Sequence, residues 1–167
     1  MTKDVIIRRA TRADASAINA VYNPFIETSP ATFETEAHDE TARAAWLDAH
    51  LANERHPVLV AEINARIAGF SNASRFDPRA GYDTSVKTSV FIEPAAQGRG
   101  LGRALYAALF AALERTDIHR AYALVVAPNP ASAALHVHMG FRQVSTLHEV
   151  GRKFGRFHDV MWFEKRL

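Results

Sequence analysis

The sequence predicts an α/β (α+β) fold organised around one central mixed sheet. Three observations carry this prediction. Short apolar runs of strand character alternate with helical periodicities, the last two strand-like runs follow each other with no helix between them, and a mid-chain apolar run passes through three closely spaced glycines into the most regular helical stretch. Alternation of strands and helices favours crossovers onto a shared sheet, and a terminal strand pair favours an appended hairpin. A length of 167 residues suits a single domain spanning 1–167 with one sizeable core.

Each element has its own signal. Val5-Ile6-Ile7-Arg8 reads as the first strand, and Thr11 with Asp14 three residues on reads as a capping-box helix start. Ile18, Val21, Tyr22, Phe25 and Ile26 recur at helical spacing, and Pro24 is expected to end that helix. Residues 27–34 lack periodicity and read as a loop. A second helix is expected from about Asp39 to Asn53, with Ala42, Ala45, Trp46 and Ala49 inward. Val58 to Ile63 and Ile67 to Ser71 form a hairpin across Asn64-Ala65. A polar, aromatic loop follows, Arg75 to Tyr82. Val86, Thr88, Val90 and Ile92 then alternate with Lys87, Ser89 and Phe91, the period of a two-faced strand.

The helix after the glycines shows an apolar stripe of Leu101, Ala104, Leu105, Ala108, Leu109, Ala112 and Leu113. Ala121 to Val126 is strand-like, and Pro128-Asn129-Pro130-Ala131-Ser132 turns into a short helix that Gly140 should stop. Arg142 to Val150 and Phe157 to Phe163 are the final strands, joined across residues 151–155.

Composition narrows the function classes. Hydrophobic residues make up 48% and charged residues 23%, ordinary globular values. A net charge of +2 with scattered arginines gives no footprint for nucleic acid. With no cysteine, neither disulfides nor a thiolate nucleophile is available. The charged start, Met1 to Asp4, is unlike a signal peptide, and the longest apolar run, Ala104 to Leu113, is too short to cross a bilayer; a soluble cytoplasmic protein is expected. Of the histidines, only the His136-x-His138 pair suggests a metal and its spacing is weak, so no metal is expected.

The stretch from Val90 to Arg103 carries the chemistry. Glycines at 98, 100 and 102 expose backbone N–H groups at a helix start, where partial positive charge favours an anion, and Arg99 and Arg103 add full charges. No Lys-Ser or Lys-Thr follows, so the Walker A pattern fails, and Arg103 stands where a dinucleotide fingerprint needs its third glycine. The letters spell Q-x-x-G-x-G over Gln97, Gly100 and Gly102, which resembles the pyrophosphate loop of the GNAT acetyltransferase superfamily. Read alone, an ordinary glycine-rich turn into a helix also satisfies them.

A second motif and further matches sharpen the resemblance. The run Pro128-Asn129-x-x-Ser132-x-x-Leu135-His136-x-x-x-Gly140-Phe141 is similar to the later cofactor motif of GNAT enzymes, in the subgroup with His in place of Tyr. Tyr22-Asn23, Thr32-Phe33-Glu34, Pro57-x-Leu59-Val60-Ala61-Glu62, Gly81-Tyr82, Ser89 to Ile92 and the segment from Gly151 to Val160 complete it. Together they resemble the phosphinothricin and methionine sulfoximine N-acetyltransferase family over nearly the whole chain. The resemblance implies a largely antiparallel, twisted, mixed sheet of six or seven strands, splayed at the middle and flanked by about four helices. It also implies acetyl-CoA as cosubstrate, a small-molecule amine as acceptor, and a homodimer. By the same resemblance, Val90, Phe91 and Ile92 pair with the pantetheine arm and residues Gln97, Gly98, Arg99, Gly100, Leu101, Gly102 and Arg103 hold the pyrophosphate. Asn129 and Ser132 contact the cofactor across the splay, although Asn129 also suits a simple turn and helix cap.

The implied chemistry is direct attack of a neutral amine on the thioester carbonyl, with backbone N–H groups of the Val90–Ile92 strand stabilising the oxyanion. The family's base is a strand Glu, and here Lys87 stands in its place. Lys87 could lower the pKa of a nearby amine, serve as base if buried, or point to solvent; one residue of strand register decides. His136 matches the family's site histidine and titrates near neutrality, with His138 expected on another face of the short helix. Glu34 could restore the missing carboxylate or be a solvated loop charge. The loss of turnover altogether, leaving an acetyl-CoA-binding module, is the alternative that Lys87 raises. For the acceptor pocket the resemblance points to Phe33, Arg75, Phe76, Gly81, Tyr82 and Lys153, with the charged groups available to a carboxylate or phosphinate. The same residues could line a dimer contact.

Overall fold

A computed structural model describes residues 5–167, so the reading of Met1 to Asp4 lies outside the described residues. The strands are β1 (Val5–Arg9), β2 (Val58–Ile63), β3 (Arg66–Arg75), β4 (Ser85–Ile92), β5 (Arg120–Val126), β6 (Arg142–Lys153) and β7 (Arg156–Arg166). The helices are α1 (Ala15–Thr28), α2 (Glu40–Leu51), α3 (Leu101–Leu113) and α4 (Pro130–His138). All seven strands form one sheet in the order β1-β2-β3-β4-β5-β7-β6.

The local signals explain most of these bounds. Asp14 accepts the backbone N–H of Thr11 at 2.7 Å, and α1 follows at once. Asp39 caps α2 through the N–H of Ala42 at 2.7 Å. Asn64 and Ala65 take φ of 53° and 59°, the paired positive values of a tight hairpin turn between β2 and β3.

Three expectations need correction. Helix α1 runs through Pro24 to Thr28, because Ile26 is buried in the core and Phe25 packs on Phe91 beyond the proline. The buried face of α2 is Arg43, Ala44, Leu47 and His50, with Ala42, Ala45 and Ala49 exposed and Trp46 half-buried. The face of α3 is turned toward Tyr106 and Phe110, which are buried where Ala104, Ala108 and Ala112 are only partly so. Alanines fit either side of a helix, so the aromatic and large aliphatic side chains decide.

The sheet divides the core in two. One cluster packs α3 against Val86, Ala121, Ala123, Val125 and Phe163; the other packs α1 and α2 against Val58, Val60, Ile67 and Phe70. All neighbouring strands are antiparallel except β4 and β5, which pair in parallel only from Ser85 to Lys87 opposite Arg120 to Tyr122. Beyond Lys87 and Tyr122 the two strands part.

Candidate active site

The gap between β4 and β5 opens into a cleft of about 870 Å³. Its two walls are the unpaired halves of these strands, Thr88 to Ile92 and Leu124 to Val126. Its floor and ends come from the loop before α3, from α4, and from α1 with the segment after it.

The strand wall presents backbone rather than side chains. The N–H of Glu93 donates to Ala68 at 2.9 Å, and alternation along the β3–β4 ladder turns the N–H groups of Val90 and Ile92 toward the gap. Phe91 therefore offers its backbone to β3 and lines the cleft through its side chain. Its ring lies on the α1 side, 4.7 Å from Tyr22 and 5.3 Å from Phe25 between centroids. Val90 and Ile92 pack their side chains toward α3.

The glycine loop fits an anion. Gly98 and Gly100 take φ of 73° and 80°, and a Cβ at either would meet nothing within 4 Å, so their backbone faces open space at the start of α3. Gly102 serves packing instead: a Cβ there would come within 2.9 Å of Leu135 and 3.4 Å of Ile92. Gln97 braces the loop, its side-chain amide donating to the Ile92 carbonyl at 3.1 Å. Leu101 is buried, and Arg103 lines the cleft while Arg99 is exposed and lies outside its lining. Across the gap, Asn129 caps α4 by accepting the N–H of Ser132 at 3.1 Å, and both residues also line the cleft. His136 and His138 line it too, with Ala131, Ala134 and Leu135; His136 is buried and His138 exposed, on different faces of α4.

The catalytic candidates separate. His136 is 3% exposed; its Nδ1–H donates to the Ser132 carbonyl at 2.7 Å, and its Nε2 accepts the Tyr106 hydroxyl at 2.9 Å. Burial pushes its pKa down against the opposing bond to Ser132, and burial raises that of the Tyr106 hydroxyl. Both ring nitrogens are engaged, so this neutral histidine ties α4 to α3 and has no lone pair for a substrate proton. Lys87 is exposed, pairs with Ser74 across β3, and shares its face with Ser89 and Phe91. Glu34 is hydrogen-bonded to His38 Nε2.

The acceptor candidates fall into two groups with no hydrogen bond or ring contact between them among the described residues. Phe76 lies 4.9 Å from Tyr122, 5.5 Å from Tyr82 and 6.4 Å from Trp162, centroid to centroid. Arg75, at the end of β3, pairs with Asp83 at 3.0 Å; Gly81 is exposed, and a Cβ there would meet nothing. Phe33 lies instead against Gly151, where a Cβ would sit 2.2 Å from the ring. Lys153 is 5% exposed and donates to the carbonyls of Thr32, Ser29 and Phe25 at 2.7, 2.8 and 3.4 Å. Its ammonium closes the C-terminal end of α1 and is not free for a substrate; burial pushes its pKa down, with Glu34 opposing.

Tyr22, Phe25 and Thr32 line the α1 end of the cleft, against Phe91 of β4. Tyr22 and Thr32 entered the sequence reading within the family matches, without a site role of their own, and Tyr22 and Phe25 as helical core periodicity. Leu124 to Val126 carried a strand signal and nothing that marked a site.

A parted sheet with unpaired strand N–H groups, facing a glycine loop at a helix start, suits an extended chain with an anionic group at one end. The comparisons agree. Residues 7–162 match the family model described as an acetyltransferase (GNAT) domain. The chain is 42% identical to phosphinothricin N-acetyltransferase of Streptomyces coelicolor over 99% of this chain and 98% of that one. It is 34% identical to the L-methionine sulfoximine/L-methionine sulfone acetyltransferase of Salmonella typhimurium, over 96% and 94%. Its fold matches a putative acetyltransferase from Salmonella typhimurium solved with acetyl-CoA, at a TM-score of 0.93 and 33% identity, covering 98% and 94%. This chain belongs to the GNAT family and is an acetyl-CoA-dependent N-acetyltransferase. The reading as a binding module without turnover gains no support.

Proposed function

We propose that the enzyme transfers the acetyl group of acetyl-CoA to the primary amine of a small amino acid analogue of the phosphinothricin or methionine sulfoximine type. The observation that carries this reading is the cleft between β4 and β5, with open-backed Gly98 and Gly100 at one end and the aromatic wall of Tyr22, Phe25 and Phe91 at the other. The relatives named for those two substrates, similar over nearly full length, support the acceptor class. In this reading the N–H groups of Val90 and Ile92 carry the pantetheine arm and the developing oxyanion, a role typically worth a few kcal/mol. Gly98, Gly100 and the first turn of α3 hold the diphosphate, with Arg103 beside them and Ser132 across the gap. When bound, acetyl-CoA supplies the activated acetyl group. The residues around it bind, orient and exclude water.

In the same reading Arg75, Phe76, Tyr82 and Tyr122, clustered beside the paired start of β4 and β5, receive the acceptor's carboxylate and side chain. Incubation with acetyl-CoA and each analogue should yield a product heavier by one acetyl group on nitrogen, read by mass spectrometry; no acetylated amine from either would sink the proposal. We further propose a single-domain, cytoplasmic homodimer. Among the described helices none is long and apolar enough to cross a membrane. A monomer mass by light scattering would remove the dimer.

A further inference from the structure

Acetylation of an amine releases a proton, and the strand position where the family keeps a carboxylate carries Lys87. This inference rests on the function proposed above. The α1 end of the cleft is polar as well as aromatic: Tyr22 of α1 and Thr32 of the following segment both line it, and their hydroxyls are 2.8 Å apart. Directly behind, the Glu34 N–H donates to Thr32 Oγ1 at 3.3 Å. The Glu34 carboxylate is hydrogen-bonded to His38, whose ring stacks on that of Tyr22 with centroids 6.1 Å apart and planes at 20°. The side chains of His38 and Glu34 are 33% and 46% exposed, so the pair reaches solvent. A line of polar groups runs from cleft to water.

The segment holding this line is anchored at both ends. Lys153 grips the carbonyls of Ser29 and Thr32 at 2.8 and 2.7 Å. At the other end the side-chain amides of Asn19 and Asn23 donate to the His38 carbonyl at 3.0 and 2.9 Å, and the His38 N–H donates to Asn23 at 3.2 Å. A loop fixed in this way positions a base as an element of regular structure would.

We propose that Glu34, paired with His38, is the proton acceptor of the reaction, reached from the cleft past the hydroxyls of Tyr22 and Thr32. The ammonium N–H bond breaks and its electron pair stays on nitrogen. The proton passes to the Glu34 carboxylate, which His38 Nε2–H holds in place, and from its exposed side out to water. The nitrogen pair forms the C–N bond to the thioester carbonyl carbon, the C–S bond breaks, and sulfur leaves with its electron pair and takes a proton from solvent. The charged and titratable groups that face the pair are Tyr22 from α1, Arg43 from α2 and Lys153 from β6. Burial above all pushes the Tyr22 hydroxyl up to about 12, so it stays protonated and serves as a neutral bridge. The buried Arg43 guanidinium lies 4.9 Å above the Tyr22 ring and, like Lys153, brings positive charge toward Glu34.

The test is the pH dependence of kcat with methionine sulfoximine for the native enzyme, Glu34→Gln and His38→Gln, with acetyl-CoA affinity measured by calorimetry in each. Glu34→Gln should lower kcat at neutral pH about 100-fold, the scale of a lost general base, with acetyl-CoA affinity unchanged and the deficit shrinking as pH rises. His38→Gln should lower kcat severalfold, because the shorter amide holds the Glu34 carboxylate less firmly. Native turnover with Glu34→Gln within about threefold of it at every pH would overturn the base alone. No native turnover would overturn the function and the base together. If Glu34→Gln fails to bind acetyl-CoA, His38→Gln decides, and an unaltered kcat overturns the proposal.

Discussion

At the scale of single residues, two side chains whose types suggest chemistry are spent on architecture. Lys153 donates to three backbone carbonyls beyond the core of α1. Replacing it with Met leaves the Ser29 and Thr32 carbonyls without this donor, at a cost of about 2 kcal/mol, while the Phe25 carbonyl keeps the Ser29 N–H at 3.2 Å. Lys153→Met is therefore expected to lower the melting temperature by several degrees while leaving the KM for acceptor within about twofold; a large rise in KM with unchanged melting would return Lys153 to the substrate. His136 is the second case. Its folded pKa is depressed by burial, so the stability it contributes is fully present above the ordinary value near 6.5 and is lost as pH falls through the folded value. His50, depressed in the same direction and bonded to Ser74 and Trp46, adds to the same window. Thermal melts at pH 7.5 and 5.5 should show a fall that is smaller in His136→Gln than in the native protein; an equal fall would contradict the burial account.

At the scale of elements, strand and helix signals were legible wherever periodicity had contrast. Val58 to Ile63 was read with its observed bounds, and β4 with its alternation. The failures share a cause. The inner face of α2 was assigned to alanines, but the buried positions include Arg43, stacked 4.8 Å from Trp46, and His50, bonded to Ser74 on β3. A polar side chain sits inside only when distant residues supply partners, and those partners are invisible locally. The same logic carried β3 on through Asn72 and Ser74 to Arg75, past its predicted end at Ser71. The glycine loop was legible as an anion cradle, yet its glycines divide between positive φ at 98 and 100 and close packing at 102. Only neighbours from α4 and β4 show that difference.

At the scale of the whole molecule, the site exists because β4 and β5 are paired for three residues and then diverge. Nothing in either strand marks where pairing stops, so the cleft could be expected only through resemblance, while Tyr22, Phe25 and Thr32 joined it through tertiary placement. The division of labour follows from the parting. In the proposed function the strand backbone carries the thioester arm, the start of α3 holds the diphosphate, and the anchored segment after α1 lies at the far end of the cleft. The central claim is that this cleft is where acetyl-CoA is held for transfer. The most direct test is thiol release from acetyl-CoA with methionine sulfoximine, measured on the native enzyme and on Gly100→Val in parallel. A β-branched residue at a φ of 80° is strained and fills the open side of the loop. The account predicts native turnover and a KM for acetyl-CoA raised about tenfold or more in the variant, the effect of roughly 1.4 kcal/mol, with the KM for the amine unchanged. Equal KM for acetyl-CoA in a folded variant, or no thiol release by the native enzyme, would contradict it.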